Sequence, residues 1–315
     1  MQIDVHAHYF APEYVQRLHE RGAGETDTTL ARDVEAQADL GARFAAMDAV
    51  GMDVQILSLS TLQPYLSRRA DAAELARFAN ESYAALLRKH PQRFAAFAAL
   101  PLPHVDDALR ELTAWLDEPG FVGVGIATSI LGRSPADPLF DEVWRELDRR
   151  RSVLFIHPAG TACGATALVA TPLHMTLGGT LEDTVCAMQV IERGFHRRYP
   201  NLRVVFSHLG GSLPFLMHRL DRTARAWPAE HDAPSVAVRS YWYDSVNGHA
   251  ASLRCACDTF GADRIVLGTD YPSWRGDQHA WAVRYIDQSG LPATTVERIR
   301  YRNALALFPG RFAAA

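Results

Sequence analysis

No two cysteines in this chain stand in a C-x-x-C. The four present, Cys163, Cys186, Cys255 and Cys257, include one C-x-C on a stretch that reads as helix, with nothing to match it as a zinc ribbon. They are expected to be buried free thiols in a reducing cytoplasm. No apolar run approaches the ~20 residues that cross a bilayer. The first residues lack the basic start and apolar stretch of a secretion signal. Positive charge is not in excess either: a net charge of −4 gives no electrostatic footing for nucleic acid or an anionic membrane. Low-complexity segments, linkers and charge blocks are missing. What remains is 315 residues of ordinary globular composition, enough for a large core, with short β-rich runs between longer helical stretches.

The β-rich runs are residues 2–8, 53–60, 93–102, 121–128, 152–158, 202–208, 241–246 and 264–270. Between them, 71–91, 137–151 and 180–200 carry apolar residues at helical spacing, and 292–310 begins with Pro292 and ends in Pro309-Gly310. Strands alternating with helices build parallel β/α units, because a parallel connection needs a crossover. Eight such units close a barrel. The competing doubly wound sheet would cradle a nucleotide on a glycine-rich turn after its first strand. Here "YFAPEY" follows that strand and holds no glycine. The expectation is an α/β fold, a (β/α)8 TIM barrel in one domain spanning 1–315. Lid loops are expected after strands 1 and 5, at 20–40 and 159–180.

Polar residues gather at the ends of these runs. His6 and His8 end the first, His157 the fifth, His208 the sixth and Asp270 the eighth. A lone His-x-His is more often the polar end of a strand. Five such side chains at C-terminal strand ends are harder to dismiss, because a barrel brings those ends to one mouth. Alternation with period two places Asp4, His6 and His8 on one face of strand 1, with Ile3 and Val5 turned to the helix layer. The same rule aligns His157 with Phe155 and Val153, and His208 with Phe206 and Val204. Three or four neutral imidazoles and one carboxylate suit a divalent ion with a position left open, zinc first and manganese as the alternative.

"DVHAH", "FIHP", "FSHLGGSLPF", "HRLDR" and "VLGTDYP", with "RNALALF" near the end, together resemble the amidohydrolase superfamily. More narrowly, they resemble its amidohydrolase-related decarboxylase branch, which includes aminocarboxymuconate-semialdehyde and γ-resorcylate decarboxylases. The resemblance implies one metal ion held by His6, His8, His157 and Asp270. It implies His208 as an acid/base or an orienting group, and a homodimer. Many amidohydrolases bridge two ions with a carboxylated lysine on strand 4. This chain has a single lysine, Lys89, at a helix end before strand 3, and its strand 4 ends in Ala127-Thr128. The missing lysine argues for one ion independently.

A bound divalent ion can hold a substrate carboxylate, or turn a bound water into hydroxide. Two reactions are therefore open. One is non-oxidative decarboxylation of an aromatic or unsaturated carboxylic acid, which the resemblance favours, with Asp270 or His208 delivering a proton to the carbon that loses CO2. The other is hydrolysis of a lactone, ester or amide, or a hydration, with Asp270 as base. A structural metal is the outlying reading. No organic cofactor is needed. Candidate substrate contacts are Arg219, His174 in the second lid and Trp274 after Asp270; Arg32, in the first lid, could meet a carboxylate. Asp244 and Asn247 could orient a metal-bound histidine. His19, His90, His104, His196, His231 and His279 are expected at the surface, and the expected setting is the cytoplasm.

Overall fold

Eight runs of branched, aromatic and small apolar residues pair side by side in chain order, every neighbour parallel. They form a computed structural model that describes residues 1–22, 39–229 and 231–312. The strands are β1 (Ile3–His8), β2 (Val54–Ser58), β3 (Phe94–Ala99), β4 (Phe121–Ala127), β5 (Val153–His157), β6 (Arg203–Phe206), β7 (Trp242–Asp244) and β8 (Ile265–Val266). Nearly every strand residue is buried, as a parallel sheet covered on both faces requires. The ring closes where β8 meets β1. The Val5 N–H donates to the Leu267 carbonyl at 2.8 Å, and the Asp270 N–H donates to the His6 carbonyl at 2.8 Å. This is the TIM barrel that the alternation of elements called for. Each strand is shorter than its run in the sequence. The extreme is β8, where residues 267–270 leave regular pairing and turn into the mouth.

Amphipathic helices cover the outside. They are α1 (Pro12–Glu20), α2 (Leu40–Ala49), α3 (Arg69–Lys89), α4 (Val105–Trp115), α5 (Asp141–Arg149), α6 (Thr180–Glu192), α7 (Leu213–Ala224), α8 (Ala250–Phe260), α9 (Asp277–Asp287) and α10 (Asn303–Leu307). In α3 the buried positions Leu75, Ala76, Ala79, Tyr83, Leu86 and Leu87 recur three and four apart, which is one helix face. Asp71 does not cap this helix. It lies inside the first turn, paired with Arg68. Lys89 ends α3 exposed. No helix of the described residues is long and apolar enough to cross a membrane.

Two hydrophobic clusters result. The larger lies between the strands and the helices. The smaller draws on every strand, through Ile3, Val5, Ile56, Phe97, Val122, Phe155, Val205, Trp242 and Val266 among others, so it fills the barrel interior. Leu307 of α10 and Phe308 just beyond it floor that interior.

These clusters correct two of the facing assignments. Ile3 and Val5 point into the barrel, not at the helices, while Asp4 points out and bonds to Gln55. The cause is a bulge: the register of β1 against β2 shifts between Asp4 and Ala7, so His6 also turns inward. On β6, Val204 and Phe206 face the helices and Val205 faces in. His208 reaches the interior because its backbone is left-handed, at φ 51°, two residues past the strand. Thiol burial is also mixed: Cys186 and Cys257 are buried, while Cys163 and Cys255 are exposed. The segment 159–180 folds into short helical turns that run into α6. Most of 20–40, Arg32 included, lies outside the described residues.

Candidate metal centre

At the C-terminal mouth, His6, His8, His157 and Asp270 each bring one donor atom to within 4.8 Å of the others. The Nε2 atoms of His6 and His8 are 3.0 Å apart, and Asp270 Oδ1 lies 3.3 and 2.9 Å from them. The imidazole of His157 packs edge-on to both, with ring centroids 5.0 and 4.8 Å away. Such crowding of nitrogen lone pairs is repulsive unless something positive lies between them.

The outer contacts show how the rings are aimed. His6 Nδ1 lies 2.6 Å from Asp244 Oδ2, His8 Nδ1 lies 2.9 Å from Ser58 Oγ, and His157 Nδ1 lies 3.0 Å from the Pro158 carbonyl. A carboxylate and a carbonyl only accept, so His6 and His157 carry their protons on Nδ1. Their Nε2 atoms face the centre, the arrangement found in histidine metal sites. Gly268 makes room for this packing: a Cβ there would stand 2.9 Å from the Cβ atoms of both Asp244 and His6.

Charge follows the same logic. Burial lowers His8 to about 4 and His157 well below its ordinary value, so both are neutral donors. Burial also opposes charge on His6, but the Asp244 and Asp270 carboxylates outweigh it and raise His6 to about 9. The pocket thus stabilises one positive charge between two carboxylates. Burial would raise Asp270, yet His208, His6 and His8 hold it well below the usual carboxylate range. Neutral imidazoles, an ionised carboxylate and a place prepared for positive charge fit a divalent ion.

His208 stands beside this set, its ring 5.2 Å from His6 and 5.5 Å from His157, with Nε2 3.9 Å from Asp270 Oδ2. Its Nδ1 lies 2.9 Å from Asp183 Oδ2. Burial disfavours its cation, but Asp183 and Asp270 prevail and raise it well above the ordinary histidine range. His208 and Asp270 both adopt left-handed backbone, at φ 51° and 58°, a conformation that His and Asp tolerate better than most residues. Local strain of this kind clusters at functional sites.

Sequence reasoning missed Glu182 and Asp183. An acidic pair in the first turn of a helix reads as a favourable dipole contact, and no spacing sets it apart. In the fold the pair faces the site. Asp183 also accepts from Ser207 Oγ at 2.8 Å. Glu182 accepts from Thr128 Oγ1 and from the amides of Ala159, Thr161 and Ala162, which fixes the turn after His157. Asp183→Asn is expected to leave affinity for a divalent ion unchanged and to cut turnover by ~10–100-fold, the usual cost of an orienting partner. Metal content measured beside kcat checks this, and unchanged kcat would refute it.

The remaining candidates spread out. Asp244 is fully buried and also accepts from the His208 amide at 2.9 Å, whereas Asn247 is exposed and bonds to none of the site histidines among the described residues. His174 Nε2 lies 2.7 Å from the Gly160 carbonyl in the turn after β5. Trp274 is half-buried against Gly248, and Arg219 is exposed on α7. His279 is not at the surface. It is 2% exposed, edge-on to Tyr271, and burial together with Arg43 lowers it to about 4. Its folded form therefore stays neutral where the unfolded chain takes up a proton. Stability should fall as pH drops from about 6.5 to about 4, by on the order of 3 kcal/mol from this group. Denaturant unfolding of His279→Gln at pH 7 and pH 4.5 should show a smaller acid loss than the parent; an equal loss would contradict the assignment.

Comparison with known proteins agrees with this geometry. The amidohydrolase family profile matches residues 3–310. The γ-resorcylate decarboxylase of Rhizobium sp. is 31% identical over 249 residues, covering 73% of this chain and 76% of that protein. The 6-methylsalicylic acid decarboxylase of Aspergillus aculeatus is 29% identical over 334 residues, covering 98% and 96%. Among solved structures, the dihydroxybenzoic acid decarboxylase of Polaromonas sp., with bound manganese and the inhibitor 2-nitroresorcinol, superposes with a TM-score of 0.82. It is 25% identical, over 99% of this chain and 98% of that one. The chain belongs to the amidohydrolase family, in which these named relatives are decarboxylases.

Proposed function

We propose that this chain is a metal-dependent, non-oxidative decarboxylase of an aromatic carboxylic acid. The observation that carries the reading is His208, held by Asp183 at 2.9 Å, set beside three imidazoles and a carboxylate at one barrel mouth. The relatives' names support the substrate class.

His6, His8, His157 and Asp270 would hold the ion, zinc by the donor set or manganese by the solved relative. When bound, a divalent ion anchors the substrate oxygens and offsets developing negative charge. The chain's own groups do the rest. Asp183 keeps His208 in its cationic form and aims Nε2 toward Asp270. His208 delivers that proton to the ring carbon bearing the carboxylate. The bond from this carbon to the carboxylate then breaks, its electron pair restores the ring, and CO2 leaves. Each turnover consumes one proton, which His208 recovers from solvent. The working form is a homodimer of single-domain chains in the cytoplasm.

The test is to load the protein with Mn2+ or Zn2+ and offer γ-resorcylate, 6-methylsalicylate and related hydroxybenzoates beside a set of lactones and esters. CO2 release with loss of the carboxylate supports the reading. Ring opening or ester cleavage without CO2 replaces it with hydrolysis. A protein that turns over nothing yet unfolds on chelation has a structural ion.

A further inference from the structure

Arginine is seldom fully buried without a carboxylate partner. Arg43 of α2 is such a case. It is 1% exposed, and among the described residues it forms no ion pair and its Nη1 has no hydrogen-bond partner. Burial lowers its basicity to about 10, so it remains a cation at neutral pH. Desolvating that charge is costly. The contacts that offset the cost run from the seam of the barrel to the neighbouring strands β2 and β3.

Two of its nitrogens have partners. Nε donates to Gln55 Oε1 at 2.9 Å, and Nη2 donates to the His8 carbonyl at 2.8 Å. The guanidinium carbon lies over the Tyr271 ring, 4.8 Å from its centroid, and 5.6 Å from that of Phe94. His8 and Tyr271 meet across the seam, where the His8 N–H donates to the Tyr271 carbonyl at 2.7 Å. One is a site histidine, and the other directly follows Asp270. Gln55 extends the grip by donating to Asp4 Oδ2 at 3.0 Å. Asp4 in turn accepts from the His6 amide and from Thr269. A single side chain on the outer layer therefore touches both strands at the residues that set the spacing between His8 Nε2 and Asp270 Oδ1.

We propose that Arg43 is a positioning residue for the metal centre, holding the His8 carbonyl and the Tyr271 ring so that His8 and Asp270 meet at ligand distance. This rests on the reading of the site as a metal centre. The planar fork explains why arginine serves here. Lysine would keep the charge, but as a point donor it could not bond along two directions and stack on a ring at once.

The test is a Co2+ titration of the wild type, Arg43→Gln and Arg43→Lys, reading the dissociation constant and the visible absorption of bound Co2+, with circular dichroism to confirm folding. The wild type should bind one Co2+ per chain. Arg43→Gln should bind it ~10–100-fold more weakly, as expected when an outer partner of a metal ligand is lost, with an altered visible spectrum. Arg43→Lys should fall between the two. A folded variant of either kind with wild-type affinity and spectrum overturns the proposal. If neither variant folds, Arg43 is a core element and the proposal is likewise overturned. A wild type that binds no Co2+ refutes the metal reading itself, and with it the proposal.

Discussion

Asp270→Ala protein is expected to fold, to hold no ion and to be inactive. The carboxylate is within 3.3 Å of His6 Nε2 and 2.9 Å of His8 Nε2, and it is the only acid in the cluster. Without it the three imidazoles keep their places, because Asp244, Ser58 and the Pro158 carbonyl hold them from behind. A site of neutral nitrogens alone binds a divalent ion far less tightly. Turnover should fall to background as the ion is lost, with metal content falling in parallel. Chelation of the wild type should reproduce the loss, and added Mn2+ or Zn2+ should reverse it. An Asp270→Ala protein that is metal-free and fully active would end the metal reading.

His208→Asn should behave differently. His208 is outside the four-residue cluster, at 3.9 Å from Asp270, and its firmest contacts are with Asp183 through its ring and Asp244 through its amide. The variant should keep its ion and its circular dichroism spectrum while kcat falls by ~10²–10⁴-fold, the range for loss of a positioned acid. Substrate binding should change little, since in this reading the ion anchors the substrate. Retention of a tenth or more of the parent kcat would show that another group donates the proton. The two variants together separate holding the ion from moving the proton.

The fold was legible because the barrel rests on chain-wide alternation, which survives local irregularity. The gathering of His6, His8, His157, His208 and Asp270 was legible for a related reason: each sits at the end of an apolar run, and a barrel collects such ends. Facing was less legible. Period two fails on β1 because a bulge reverses the pleat between Asp4 and Ala7. It fails on β6 because the strand ends at Phe206, before the left-handed turn at His208. Neither break leaves a mark in residue type. Partners from the outer layer were the least legible. Arg43, Glu182 and Asp183 lie on helices, where a charged residue is usually solvated, and only tertiary packing turns them toward the site. His279 was misplaced for the opposite reason. It stands three, four and seven residues before Ala282, Val283 and Ile286, so helical spacing marks its position as inward although its residue type suggests the surface.

The seam between β1 and β8 also bears on how the protein is made. Asp4 and Thr269 are 265 residues apart in sequence and bond directly, and the floor under them comes later still, from Leu307 and Phe308. A growing barrel presents two of the four cluster residues on its first strand and must wait for the fourth until the eighth strand has emerged from the ribosome. Contacts of such long range form late, because the loop they close must first be ordered. In the proposed reading, ion capture therefore follows barrel closure. The ion would then act as a clasp between the earliest and the latest strands, stabilising the finished chain by its binding free energy while giving nothing to a partly made one.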